Sequence, residues 1–173
     1  MHTIRFDKIN FWIGKRLVYF GIIFFVAGCS ENPKSFSIEA YNDVLLDIKG
    51  NEITWEKALN EMKGNKTFID FWATWCKDCI ENFEALEDLQ QEFPNVNFVF
   101  VSLDNNIDSW KWGIEKYNLV GSHYFLPEGK NGALGDFLNL WWIPRYVVID
   151  ENNNILIFKA TSAEDIKIKN VLQ

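Results

Sequence analysis

Cysteine is scarce in this sequence, and the scarcity excludes a class of proteins. The 173 residues hold three cysteines, an odd number and too few for the disulfide framework that staples small secreted domains. Histidine is scarcer still, with two. Positive charge is also in deficit: 17 Lys and Arg stand against 24 Asp and Glu, a net of -7. No basic run occurs outside the N-terminus, so nucleic acid, which wants a basic face, is excluded as the main partner. The acidity reads as a solvated surface that keeps the domain soluble. No apolar run reaches the ~20 residues a membrane-spanning helix needs, and no internal repeat or low-complexity tract is visible. What the sequence has in quantity is apolar bulk. Apolar residues make up 48% of the chain, enough for one real core and against global disorder. The 15 Phe and 8 Trp call for deep burial or a binding groove.

The N-terminus reads as an address. Arg5, Lys8, Lys15 and Arg16 precede an uncharged stretch, Leu17 to Gly28, and a positive segment followed by a short apolar one is the pattern of a secretory signal. The stretch ends in Val26-Ala27-Gly28-Cys29, which resembles the lipobox of bacterial lipoproteins. That resemblance implies a signal peptide over 1–28, cleavage before Cys29 and lipid on Cys29. It places the rest of the chain outside the cytoplasm and tied to a membrane, on the periplasmic side if the cell has two membranes. Several acyl chains on one cysteine hold firmly, at about 0.8 kcal/mol per buried CH₂. The other reading is a signal anchor with an incidental cysteine. Residues 29–37 read as a lipid-anchored polar tether and 38–173 as the folded domain.

Along that domain, Ala40–Ile48 reads as extended, followed by a turn at Lys49-Gly50-Asn51 and a short strand at 52–54. Thr54 is a candidate N-cap for a helix over Trp55–Met62. Thr67–Trp72 is a compact apolar run broken only by Asp70, the pattern of a buried central strand. From Cys76 to Phe93, Ile80, Phe83, Leu86, Leu89 and Phe93 recur at helical spacing. A strand over 96–103, a helix over 107–117, a short helix near 132–138 and a hairpin of 145–149 with 155–159 follow. A closing helix spans 162–172. Strands alternating with helices indicate a mixed α/β sandwich.

The segment Phe68 to Cys79, FIDFWATWCKDC, carries the chemistry. A C-x-x-C pair has three uses. Zinc would need two more Cys or His ligands, and only Cys29, His2 and His123 are left. Covalent haem would want His after the second cysteine, where Ile80 stands. A redox disulfide needs only the pair, at a strand-to-helix junction, and no cofactor. Cys76 falls at the start of the predicted helix, where free backbone N–H groups and the dipole favour a thiolate. Lys77 adds a positive charge beside it and Asp78 acts in the opposite sense. Both tune the thiolate, which is the nucleophile. Asp70 is a carboxyl inside an apolar strand, where burial makes it hold its proton. Beside a dithiol such an acid can take and return the proton of the resolving cysteine. The plain alternative is an Asp at a strand edge, reaching water.

Ile69-Asp70-Phe71-Trp72-Ala73-Thr74-Trp75-Cys76-x-x-Cys79 resembles the active-site signature of thioredoxins. The wider pattern resembles the membrane-anchored, extracytoplasmic TlpA/ResA-type family, over roughly residues 40–172. The resemblance implies a thioredoxin-like three-layer sandwich: a central mixed β-sheet flanked by helices, with an N-terminal extension and an inserted segment, within 104–140, before the cis-proline strand. It implies Cys76 as nucleophile, Cys79 as resolving cysteine, Asp70 as buried acid, and Trp75, Ile143 and Pro144 as substrate-binding residues, with the Ile143–Pro144 bond cis. Lys77-Asp78 replaces the familiar Gly-Pro, so the direction of electron flow stays open. Trp141 and Trp142 are unusual for the family, and one is expected in the groove wall and one in the core. The activity implied is reduction of protein disulfides, with a membrane electron donor and protein thiols as partners. Cytochrome c maturation and general thiol maintenance are both open as settings. A thiol peroxidase on the same fold and a non-catalytic binding lipoprotein are the alternatives. The first lacks its Thr, because position 73 is Ala.

Overall fold

The computed structural model describes residues 31–173. The signal peptide expected over 1–28 and the lipidation expected at Cys29 fall outside the described residues. A seven-stranded mixed sheet forms the centre, in the order β2-β1-β5-β4-β3-β6-β7. Its strands are β1 (Val44–Asp47), β2 (Glu52–Thr54), β3 (Thr67–Trp72), β4 (Asn97–Ser102), β5 (Ser122–Phe125), β6 (Arg145–Ile149) and β7 (Ile155–Ala160). β3 pairs parallel with β4 and antiparallel with β6, and all six of its residues are buried. A strand buried on both faces reads as a continuous apolar run, which is why TFIDFW announces itself in the sequence.

The helices are α1 (Ile38–Tyr41), α2 (Trp55–Asn60), α3 (Lys77–Glu81), α4 (Phe83–Glu92), α5 (Ile107–Lys116), α6 (Ala133–Leu138) and α7 (Ile166–Leu172). Successive residues of a strand point to opposite faces. On one face of β3, Trp72 meets Phe83 of α4 edge-on, ring centroids 5.5 Å apart. On the other, Phe71 meets Trp55 of α2 at 6.3 Å. Lys169 of α7 joins Glu92 of α4 at 2.6 Å. Helices thus cover both faces, and the architecture is the three-layer sandwich that the resemblance implies.

Four local readings change. Ala40–Ile48 is not extended throughout: Ser37 accepts a hydrogen bond from the Ala40 N–H and caps a helical turn, α1, before β1 begins. The helix expected from Cys76 to Phe93 is two, divided at Asn82. The Asn82 side chain donates to the Asp78 carbonyl at 2.8 Å and accepts from the Ala163 N–H at 3.0 Å. Its own N–H turns to Cys79 O, three residues back. Local side-chain bonds of this kind compete with the helical ladder. β5 was not visible in the pattern, because four residues between β4 and β1 take their identity from their partners. Gly121, at φ 151°, admits the chain to that slot; a Cβ there would lie 2.4 Å from the Phe98 carbonyl oxygen. Finally, the stretch read as a tether over 29–37 is partly docked. Phe36 is buried and packs edge-on against Trp55 at 5.7 Å, and Lys34 accepts from the Ile155 N–H at 2.8 Å. Aromatic burial wins over the polarity of the neighbouring residues.

Candidate active site

Cys76, Asp104 and Pro144 collect at one end of the sheet. β3 and β4 run parallel and end there, at Trp72 and Ser102, while the antiparallel β6 begins there, at Arg145. Cys76 follows β3, Asp104 follows β4, and Pro144 precedes β6. The carboxyl ends of parallel strands are where α/β sheets place ligands.

Cys76 caps α3, and its sulfur accepts the Cys79 N–H at 3.1 Å. The two cysteines are joined, with S–S 2.05 Å and Cα–Cα 5.3 Å. Their exposure differs: Cys76 is 6% exposed and Cys79 0%. Only Cys76 reaches the surface, so an incoming sulfur meets it first. The Ile143 carbonyl oxygen lies 3.6 Å from Cys76 Sγ, and the Ile143–Pro144 peptide bond is cis. The Ile143 side of that bond thus stands against the disulfide.

Asp70 is buried in β3, and neither carboxyl oxygen has a hydrogen-bond partner among the described residues. Burial pushes its pKa well above the usual carboxylate range, because the charged form loses its hydration without compensation. An Asp at a water-exposed strand edge is therefore not what the structure contains. Lys77 points its ammonium at Glu81, 3.0 Å away. Hydrogen bonding and attraction to Glu81 raise its pKa, so the positive charge expected beside the thiol is shared with that carboxylate. Asp78 is exposed in the first turn of α3. His123 stacks on Phe100 and shares a hydrogen bond between Nε2 and the Leu119 carbonyl at 3.0 Å. Burial holds its pKa down.

A groove of about 740 Å³ opens beside Cys76, with Trp75, Asp104, Lys130, Trp141 and Trp142 among its lining. Trp75 is 59% exposed, Trp141 68% and Trp142 62%. The expectation that one of the paired tryptophans is core is thus corrected. Both stand in the loop between α6 and β6, and Lys130 Nζ sits 4.4 Å over the Trp141 ring. A cation on an aromatic face holds the ring in place without burying it.

Two groups escaped the sequence reading. The Asp104 carboxylate accepts from the Thr74 N–H at 3.1 Å, from Thr74 Oγ1 at 2.6 Å and from Ser102 Oγ at 2.8 Å. Arg145 is a buried cation whose guanidinium donates to the Leu138 and Asn139 carbonyls at the end of α6. Burial lowers its pKa. The negative end of a helix favours a cation there. An acid directly after an apolar strand and an arginine directly after Ile-Pro were the available signals.

The chain is similar to known proteins. The family model described as thioredoxin-like matches residues 64–155, just over half of the chain. A thiol-disulfide oxidoreductase ResA from Oceanobacillus iheyensis is 30% identical over 102 residues, 56% of this chain and 50% of the relative. The match thus spans about half the length of that relative. A thioredoxin from Mycoplasmopsis pulmonis is 27% identical over 57% of this chain and 92% of its own length. Among solved structures, a Bacteroides vulgatus protein described as a candidate thiol-disulfide oxidoreductase superposes with a TM-score of 0.61 at 28% identity. The superposition covers 75% of this chain and 88% of that one.

Proposed function

The chain belongs to the thioredoxin-like family, and on that premise we propose that it is a thiol-disulfide oxidoreductase that reduces protein disulfides outside the cytoplasm. The observation that carries this reading is the unequal exposure of Cys76 and Cys79 at the mouth of an aromatic groove. Relatives and structural neighbours named as thiol-disulfide oxidoreductases support it.

In the reductive direction, the Cys76 thiolate attacks one sulfur of a substrate disulfide. A bond forms from Cys76 to that sulfur, and the other substrate sulfur leaves as a thiolate and takes a proton from solvent. Cys79, having given its proton to the Asp70 carboxylate, attacks Cys76 Sγ. The mixed disulfide breaks, the second substrate sulfur leaves as a thiolate, and the Cys76–Cys79 disulfide remains. Two electrons pass to the substrate. Asp70 suits its step because burial raises it toward the range in which thiols ionise, which brings proton exchange between them closer to balance. Trp75, Ile143 and Pro144 hold the substrate chain in part as an added strand, while Lys77 and Asp78 tune the thiolate. A membrane electron donor returns the pair to the dithiol. The address at residues 1–28 and lipid on Cys29 belong to the same reading and would keep the domain beside that donor.

The test is a redox titration of the full chain in graded thiol–disulfide buffers, with the state of each cysteine read from its own peptide by mass spectrometry. A reversible Cys76–Cys79 couple near or below roughly -270 mV is expected. A much less negative potential overturns the reductive direction. Failure of the two cysteines to pair overturns the activity.

A further inference from the structure

Between the end of β3 and the start of α3 lie four residues, Ala73 to Cys76, and their placement decides where the nucleophile stands. The strand ladder runs one step past β4, with the Leu103 N–H donating to Trp72 O at 2.8 Å. Beyond it, Thr74 is tied at two points, backbone N–H and side-chain hydroxyl, to the single carboxylate of Asp104. Asp104 is itself nearly buried and braced, since Ser102 Oγ donates to its carboxylate at 2.8 Å and accepts its N–H at 3.0 Å. Thr74 is also confined from α5. A Cβ on Gly113 would lie 2.4 Å from Thr74 Cγ2 and 2.8 Å from the Trp72 ring, so only glycine lets the helix close on this loop. One side of the threonine is hydrogen-bonded and the other is packed.

We propose that Asp104, acting through Thr74 and backed by Gly113, is a positioning residue that holds Cys76 at the cap of α3 and so sets the reactivity of its thiolate. The inference rests on the redox role of Cys76. The cap is a directional contact: Cys76 Sγ accepts the Cys79 N–H at 3.1 Å, and a thiolate gains more from that bond than a thiol does. Thr74 sits two positions before Cys76, with the Cys76 N–H bonded to Ala73 O at 3.1 Å, so a shift at Thr74 is passed on rather than absorbed. The charged groups that share the groove with Cys76 are Lys77 and Asp78 of α3, Asp104 after β4, and Glu128 and Lys130 between β5 and α6. Asp70 lies in β3. A change at Thr74 removes none of these charges, although it takes one donor from the Asp104 carboxylate.

The experiment is the pH profile of Cys76 alkylation in the reduced full chain, resolved from Cys29 and Cys79 by peptide mass spectrometry, with thermal melting alongside. Thr74→Val keeps the shape and removes the hydroxyl donor. Its midpoint is expected to move up, with Cys76 alkylated roughly threefold to tenfold more slowly at pH 7. Thr74→Ser restores the donor and should return the profile to within about twofold of the parent. Asp104→Leu separates position from charge. Loss of a negative charge alone would lower the midpoint, so a rise can come only from lost positioning, and a rise is expected. A Thr74→Val profile equal to the parent, or an Asp104→Leu midpoint that falls, overturns the inference. A lowered melting temperature with an unmoved midpoint assigns these residues to stability only and overturns it too. If instead Cys76 of the parent reacts no faster than Cys79 and forms no disulfide with it, the redox role itself fails.

Discussion

Asp70 and Tyr146 face each other across the β3–β6 ladder, and neither the carboxyl group nor the phenol has a hydrogen-bond partner among the described residues. The effect runs one way, from the carboxyl to the phenol. Burial and the nearby Asp70 carboxyl push the Tyr146 hydroxyl far above its ordinary range, and burial pushes Asp70 up.

The pair gives stability a pH dependence with a definite sign. The unfolded chain releases the Asp70 proton near pH 3.8, while the folded chain keeps it. Stability is therefore full below that pH and is lost as pH rises through the folded pKa. Asp70→Leu should be more stable than the parent by about 1–3 kcal/mol at pH 8, and the gap should narrow toward pH 4. Urea midpoints at the two pH values check this, and a variant less stable at pH 8 would contradict the unpaired burial. The same variant should slow the resolving step, with mixed disulfide accumulating.

The exposure difference within the pair predicts unequal trapping. With a protein disulfide substrate, Cys79→Ser should accumulate a covalent adduct through Cys76. Cys76→Ser should yield at most about a tenth as much, since reaction depends on access. Non-reducing gels with peptide mapping read the result, and equal adducts from both variants would reverse the assignment of nucleophile.

Trp141 and Trp142 stand in solvent beside the reactive sulfur. Replacing either with Ala should leave stability within about 0.5 kcal/mol. It should raise KM for a protein substrate by roughly fivefold to thirtyfold, as loss of an aromatic anchor does. Steady-state kinetics with one protein substrate and one small disulfide make the comparison, and only the protein substrate should suffer.

Arg145 ties the end of α6 to the strand that follows the cis-proline. Arg145→Met keeps most of the bulk and strands the Leu138 and Asn139 carbonyls, a loss of about 1–3 kcal/mol. Chemical denaturation measures it. A neutral result would mean that water replaces the guanidinium at the helix end.

Much of this molecule is legible in its order of residues, and the reasons are local. Thr67–Trp72 reads as a strand because both its faces are buried and its composition hides nothing. Thr54 reads as an N-cap because capping is a contact with the residue three ahead, here the Lys57 N–H at 3.3 Å. Cys76 and Cys79 read as a pair because three residues at a helix start bring two sulfurs together whatever the rest of the chain does. Asp70 reads as anomalous because it interrupts an apolar run. The alternation of strands and helices indicates a mixed α/β sandwich, and the resemblance of residues 69–79 to thioredoxins implies the thioredoxin-like fold.

Other features depend on residues far apart in the chain. The break at Asn82 needs Ala163, 81 positions away. β5 exists because β4 and β1 leave a slot between them. The clamp on Thr74 joins residues 30 apart. Both tryptophans before Ile143 stand in solvent, and Arg145 holds the neighbouring end of α6 from within, seven positions from Leu138. The sequence by itself determined the cysteine pair, the central strand and the α/β class of the fold, each set by periodicity, capping or spacing over a few residues. The tertiary structure alone decided which acid braces the nucleophile's loop and how the groove is walled, because hydrogen bonds and packing between distant strands leave no periodic trace along the chain.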